Sequence, residues 1–461
     1  VTAFPGILMA FMTAAAPVRA APMDLKLPAV ERSVTPEGLT VLSAPRGPLP
    51  LVSVRLVIKA GSALDPAGKE GIADFTARLL RRGTKSLKAD AIDEAVEYVG
   101  ASLGLGCSED ALFVALTTPA EHLPDMLRVM AALVREPTFP EEEVASARTR
   151  VLAHLATEQD DPAALADRAF NRAAWGNHPY AHSPLGTVRS VKGFSRADLV
   201  KFHAERVGPR VSTLVVVGQF EHDALVKAVD AAFGGWRAGP DEAPVPPAFE
   251  GLPAAGRVIL VDKPDQTQVQ VRLGGVGMRR GHPDAIPATV MNTVLGGGFT
   301  SRLMTEIRVK RGLTYGVSSG FGGLKAGGHF EVSSFTKTET ARELIDVALG
   351  ELAKAREKGI SAKELATART YLSGLYPLRL ETNDAVATSI SDVEFYGLGV
   401  DWVENYRSRV AAVDVKAAAD VARRYLLAKA PLVVLVGRAS ELKSAVKGLG
   451  KVEILKASEV E

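Results

Sequence analysis

Arg308 and Tyr315 stand seven residues apart behind a glycine triplet, in Leu295–Phe321 (LGGGFTSRLMTEIRVKRGLTYGVSSGF). A guanidinium offers a fork of five donors and a phenol one hydroxyl, a pair suited to holding carbonyl or carboxylate oxygens. The elements that must position them follow from the residue pattern. Gly296, Gly297 and Gly298 can enter backbone conformations closed to other residues, and Ser301 lies where an N-cap would start a helix. Leu303 and Ile307, four apart, form the buried stripe of that helix, with Met304 and Arg308 along its border. Gly312 stops the helix. Leu313, Tyr315 and Val317 then alternate with Thr314, Gly316 and Ser318, the period of a strand with one buried face, which turns Tyr315 inward or into a cleft. Both residues also have plain structural readings, a solvated cation favoured by the helix dipole and a core phenol with its hydroxyl at the edge.

Metal chemistry would need convergent ligands. His178-Pro179-Tyr180-Ala181-His182 has the i,i+4 histidine spacing of a helical site, but Pro179 and Pro184 work against a helix there. His122, His154, His203, His222, His282 and His329 are scattered singly, each with no second ligand at a known spacing. Cys107, the sole cysteine, can form no internal disulfide and has no CxxC partner, so a buried structural thiol is expected.

With 461 residues, 47% of them hydrophobic, the chain is long enough for two to four globular domains. A net charge of only +2, with no block of Lys and Arg, argues against nucleic acid as a partner. Ile7–Ala16 is a short apolar run followed by small residues at Val18 and Ala20, which predicts a signal peptide over 1–21, removed on export to a periplasmic or secreted location. That run is too short to span a bilayer, and no integral membrane segment is expected after signal removal.

The stretch 238–256, dense in Pro, Ala and Gly, reads as a semi-extended linker between halves at 30–237 and 257–455. The halves repeat a plan. Leu51–Lys59 and Gln268–Gly274 are alternating strands followed by a Gly-rich turn and a helix. Ser212–Gly218 and Pro431–Gly437 are apolar strands leading to the helical patterns Asp223–Phe233 and Glu441–Leu449. Amphipathic helices fill the middles, at Leu123–Arg135, Pro140–Thr157 and Leu199–Arg206, then at Glu339–Lys358 and Ser361–Leu380. The expected fold class is α+β: two similar halves, each an antiparallel-rich sheet with helices packed on one face. Gly100–Pro119 reads as a Gly-broken loop and then an edge-capable strand, and Glu141-Glu142-Glu143 as the solvated acidic first turn of a helix.

The run Gly-rich loop, SRL, R-x6-Y closely resembles the C-terminal half of the insulinase/pitrilysin family of zinc peptidases, which includes the mitochondrial processing peptidase subunits. The resemblance implies a clamshell of two halves in which Arg308 and Tyr315 hold substrate backbone across the cavity from the metal. Zinc-binding members carry H-x-x-E-H on the helix after the first strand, two histidines as ligands and the Glu polarising a bound water. Gly71–Leu80 here aligns with that helix, but the three functional positions are Asp74, Ala77 and Arg78. Ala77 cannot act as a base and Arg78 cannot ligate a cation. The third ligand, a Glu on a later helix, should fall near Ala153–Leu155, where no carboxylate stands. Asp74 and Arg78 could instead form an i,i+4 ion pair. The His178–His182 segment resembles the family's HPY loop, and the strand after Gly100 resembles one that in catalytic subunits pairs with peptide by β-addition.

The resemblance therefore implies a zinc-less subunit of a heterodimeric bacterial peptidase. No metal or cofactor is expected in this chain, zinc and H-x-x-E-H belong to a homologous partner, and Arg308 and Tyr315 bind peptide. The alternative is an assembly subunit of the same fold with no part in proteolysis, as in the core subunits of the respiratory cytochrome bc complex.

Overall fold

The computed structural model describes residues 27–249, 251, 256–399, 401–426 and 430–460. The signal peptide expected over 1–21 lies outside them, as does part of the linker. Among the described residues twelve strands form two six-stranded sheets. The first contains β1 (Glu31–Val34), β2 (Thr40–Pro45), β3 (Leu51–Ile58), β4 (Ser102–Cys107), β5 (Leu112–Pro119) and β6 (Ser212–Gly218), in the order β1-β2-β6-β3-β5-β4. The second contains β7 (Arg257–Asp262), β8 (Gln268–Val276), β9 (Val317–Gly323), β10 (Gly328–Lys337), β11 (Leu432–Gly437) and β12 (Lys451–Lys456), in the order β12-β7-β11-β8-β10-β9. Setting β2 to β6 against β7 to β11, the two orders are the same, so the repeated plan of the sequence is a repeat of topology. β2 runs parallel to β6, and β7 parallel to β11 and β12, while the other pairs are antiparallel.

Strand alternation explains how the halves join. In β6, Leu214 and Val216 enter the core of their own half, while Val215 and Val217 enter a core shared with the second half. There they meet the helix Asn383–Tyr396, which packs on β3 and β6. The reverse holds for β11: Val433 and Leu435 face their own helices, and Leu432, Val434 and Val436 face the helix Pro162–Trp175 from the first half. Each sheet thus carries its own helices on one face, and a helix lent by the other half covers the second. Burial on both faces accounts for the unbroken apolar runs LVVV and LVVLV, which no one-sided sheet would need. Gly274 in β8 serves the same junction, since a Cβ there would lie 2.1 Å from the Phe170 ring. Polar contacts follow the exchange: Arg272 donates from Nε to Asp167 at 2.6 Å, and Asn383 Nδ2 to Leu51 O at 3.1 Å.

Three expectations need correction. The strand Leu112–Pro119 is internal, between β3 and β4, and the sheet edge is β4, built from the residues expected to form a Gly-broken loop. The helix expected over Glu441–Leu449 is instead a single turn at Ala439–Leu442, the residues after it being turns and bends. The helix expected over Ser361–Leu380 ends at Leu375, with a tight turn from Pro377 to Leu380, as a proline without an N–H would require.

Candidate functional site

The degenerate motif sits on the helix Ile72–Leu80, anchored at its start by a buried carboxylate. Asp65 accepts from Gly71 N at 2.6 Å and Ala73 N at 3.0 Å, filling the role of an N-cap from outside the helix. His182 Nε2 lies 3.1 Å from Asp65 Oδ2 and 3.0 Å from Ser62 O. Burial pushes the Asp65 carboxyl up despite that neighbour; for His182 burial works downward, but the bond to Asp65 prevails and the imidazole is held above its usual value. The two histidines of the 178–182 segment thus have separate duties, His178 Nε2 lying 2.7 Å from Pro247 O in the linker. The segment between them is a short 3-10 turn, Pro179–Ala181, not a helix.

Within the motif helix Arg78 Nε donates to Asp74 Oδ2 at 2.5 Å, one turn apart. Asp74 is buried and Arg78 half-exposed. Burial raises the Asp74 carboxyl, and Arg78 pulls against it. Ala77 is buried between them. His154, on the helix Glu141–Asp160, reaches Glu158 at 3.3 Å, and Glu158 also pairs with Arg168. The residues do not fit zinc: a permanent cation, Arg78, holds one ligand position and an apolar side chain, Ala77, holds that of the base, while Glu158, the carboxylate that reaches His154, is shared with Arg168. Among the described residues no group of three or more His, Cys, Asp or Glu side chains converges. Cys107 is half-buried, its thiol pushed up by burial, and donates to Ser108 O at 3.1 Å.

Around Arg308 the local fold departs from expectation in three ways. The helix after Ser301 is a π-helix over Met304–Val309, with Ser301 Oγ accepting from Met304 N at 3.4 Å and Lys310 N bonding to Thr305 O at 3.0 Å. Leu303 and Ile307 are buried as the spacing requires, and Gly312 ends the segment at φ +65°. None of Gly296, Gly297 and Gly298 takes a positive φ. Gly296 is needed for room instead, since a Cβ there would lie 2.2 Å from Ser319 Oγ. Ser319 N donates to Gly296 O at 3.1 Å and Asn292 Nδ2 to Ser319 O at 2.7 Å, so the loop is sewn to β9.

The third departure concerns Tyr315. It does not turn inward. It lies on a bend two residues before β9 and is 83% exposed. Thr314 takes the buried place, its hydroxyl donating to Gly316 O at 3.0 Å and accepting from Gly316 N at 3.1 Å. This side-chain turn breaks the alternation one residue too early for the phenol to reach the core. No hydrogen bond joins Arg308 and Tyr315 among the described residues. Arg308 lies instead over the Phe299 ring, 5.6 Å from its centre, and Phe299 is itself exposed. Phe299 had no signal in the pattern, because a loop residue nine positions away shares no period with Arg308.

The four cations of 302–311 are spent unequally. Arg302 forms a two-point bridge to Glu364 at 2.7 and 2.8 Å, which holds that carboxyl down to about 2. Lys310 and Arg311 both bind Glu306, also held down to about 2. Arg308 alone has no carboxylate partner among the described residues. A guanidinium with open nitrogens and a free phenol, on a loop fixed to a sheet edge, can bind an oxygen acceptor but supplies neither base nor nucleophile.

Residues 40–188 match the domain described as insulinase (peptidase family M16), and residues 193–372 the peptidase M16 inactive domain. An uncharacterized zinc protease of Streptomyces coelicolor is 27% identical over 90% of this chain and 92% of its own length. A Helicobacter pylori protein named as a non-peptidase homolog is 27% identical over 80% and 84%. The crystal structure of a peptidase M16 inactive domain from Pseudomonas fluorescens superposes with a TM-score of 0.83 at 27% identity, covering 89% of this chain and 98% of that one.

Proposed function

The chain belongs to the insulinase (M16) peptidase family, and from that premise we propose that it is a zinc-less subunit that works beside a homologous H-x-x-E-H chain. In this reading the partner's metal centre breaks the peptide bond, while Arg308 and Tyr315 hold carbonyl or carboxylate oxygens of the substrate. Their contribution is positioning and electrostatic help. The observation that carries it is Arg308 itself, the one cation of its segment without a carboxylate partner among the described residues. A side chain kept only for stability would be expected to find a carboxylate, as its three neighbours do. Absence of peptidase activity in the single chain is supported by Ala77 and Arg78 in the motif, and a relative named as a non-peptidase homolog fits it.

The test is to purify the chain alone and with an H-x-x-E-H partner from its own source, and to assay peptide cleavage and metal content of each. Turnover by the mixture and none by the single chain supports the reading. Chelator-sensitive cleavage by the single chain, or a partnered complex without turnover, overturns it. A purely structural subunit remains the second reading, favoured by the tightly built Asp74–Arg78 pair where a ligand set would be.

A further inference from the structure

Beside the motif helix lies a cavity of about 390 Å³. Arg78, Arg81, Arg82, Arg150 and His154 line it, and no Asp or Glu does. Its remaining wall is apolar, from Leu103, Leu105, Val151 and Leu185 among others. The carboxylates that balance the cations stand outside this lining and pin them from behind. Asp74 holds Arg78, Asp93 holds Arg81 at 2.6 Å, and Glu143 holds Arg82 at 3.0 Å. Arg150 has only a neutral partner, Ser146 Oγ at 2.6 Å. Among the described residues the terminal nitrogens of Arg78 have no acceptor, and those of Arg150 only that hydroxyl.

We propose that this cavity binds the C-terminal residue of a peptide, its carboxylate on Arg78 and Arg150 and its apolar side chain on Leu103 and Leu105. Two guanidiniums with open nitrogens suit the planar, two-oxygen form of a carboxylate. The volume lies in the range of small-ligand sites, roughly 300–1,000 Å³, so an inorganic anion would leave the apolar wall uncovered. An α-carboxylate and an apolar side chain on the same carbon match both surfaces at once. An acidic side chain brings the charge without the apolar body.

The neighbouring strand argues for a chain end. β4, which contributes Leu103 and Leu105, is the outer strand of its sheet, so a peptide can approach it. Arg81 NH1 already donates to Leu103 O at 2.6 Å, which takes a main-chain acceptor that a peptide running through would need. The inference concerns the single chain and stands apart from the zinc partner.

The test is calorimetric titration of the purified chain with four probes: N-acetyl-Ala-Ala-Leu as the free acid, the same peptide as its C-terminal amide, N-acetyl-Ala-Ala-Glu amide, and inorganic phosphate. The free acid should bind at least about tenfold more tightly than the other three, since each lacks the charge or the apolar body. Arg150 is exposed and leaves the core untouched, so Arg150→Gln should keep the fold and weaken the free acid by about tenfold, with Arg150→Lys in between. Failure of the free acid to bind, equal binding of acid and amide, or equal binding of phosphate overturns the proposal. So does an Arg150→Gln protein, folded by circular dichroism, that binds the free acid unchanged.

Discussion

Arg78 and Asp74 are joined across one helical turn, Nε to Oδ2 at 2.5 Å, so that a permanent cation neutralises a buried carboxylate at two of the positions that align with the family's zinc motif. The pair has its own physical logic: each charge answers the other one turn along the helix.

Removing one member should reveal that logic. Arg78→Ala leaves a buried carboxylate without its counter-ion and should destabilise the chain by about 1–2 kcal/mol at pH 7, less than for a fully buried pair because Arg78 is half-exposed. Burial already raises the folded-state value of Asp74, and losing Arg78 raises it further. The deficit is therefore full above that raised value and shrinks as the pH falls through it and the carboxyl takes up a proton. Urea denaturation at pH 7 and near pH 4 checks this, and Asp74→Asn in the Arg78→Ala background should recover much of the loss.

Restoring the motif should not restore the metal. Asp74→His, Ala77→Glu and Arg78→His supply two imidazoles and a base, but the carboxylate beside His154 is Glu158, committed to Arg168 and His154. No stoichiometric zinc should copurify with the triple variant. Elemental analysis of the folded protein after dialysis decides the matter.

In a complex that cleaves peptide, Tyr315→Phe removes one exposed hydroxyl and should leave stability unchanged. A neutral hydrogen bond is worth about 0.5–1.5 kcal/mol, so kcat/KM should fall roughly 2- to 15-fold. Arg308→Ala should cost about 1.5–3 kcal/mol, with Arg308→Lys recovering only part. Unchanged kcat/KM for both Tyr315→Phe and Arg308→Ala in an assembled complex would favour the structural-subunit reading.

Glu364 offers a pH test. Its bond to Arg302, with burial opposing and the Ser361 cap adding, holds its carboxyl down to about 2 from an ordinary 4.5. A depressed carboxyl stabilises the fold above about pH 4.5, and that contribution is lost as the pH falls toward 2. Glu364→Gln should be less stable than the parent by about 1–2 kcal/mol at pH 7, a partly exposed pair being discounted, with the gap closing in acid. Thermal unfolding across pH 2–7 reads the difference.

Much of the architecture was legible because its signals are local. Ser212–Gly218 and Leu123–Arg135 carry unambiguous periods, and both elements have the bounds read from them. The duplication was visible as repeated strand patterns. The helix exchange was not, since nothing in Pro162–Trp175 says which sheet its apolar face will meet, although the two-sided burial of Val433–Val436 is written in an unbroken apolar run. At the site, Ser301, Leu303 and Ile307 behave as their spacing requires. Tyr315 was misplaced because the Thr314 hydroxyl bonds its own backbone, a competition that alternation does not register. The ring under Arg308 comes from a loop, where no period operates.

The helix exchange has a consequence for how the chain is made. Pro162–Trp175 leaves the ribosome long before β11, the strand that covers Leu165, Phe170 and Trp175. Until β11 is synthesised, that apolar face is covered only in part, by Tyr180 and then by β8, and a nascent chain in this state is a natural client for a chaperone. Once complete, the two halves hold each other by their lent helices more than by the connecting peptide. A protease nick at Asp241–Pro246 should thus leave a complex that stays together, and the two fragments made separately should each be insoluble until they are mixed.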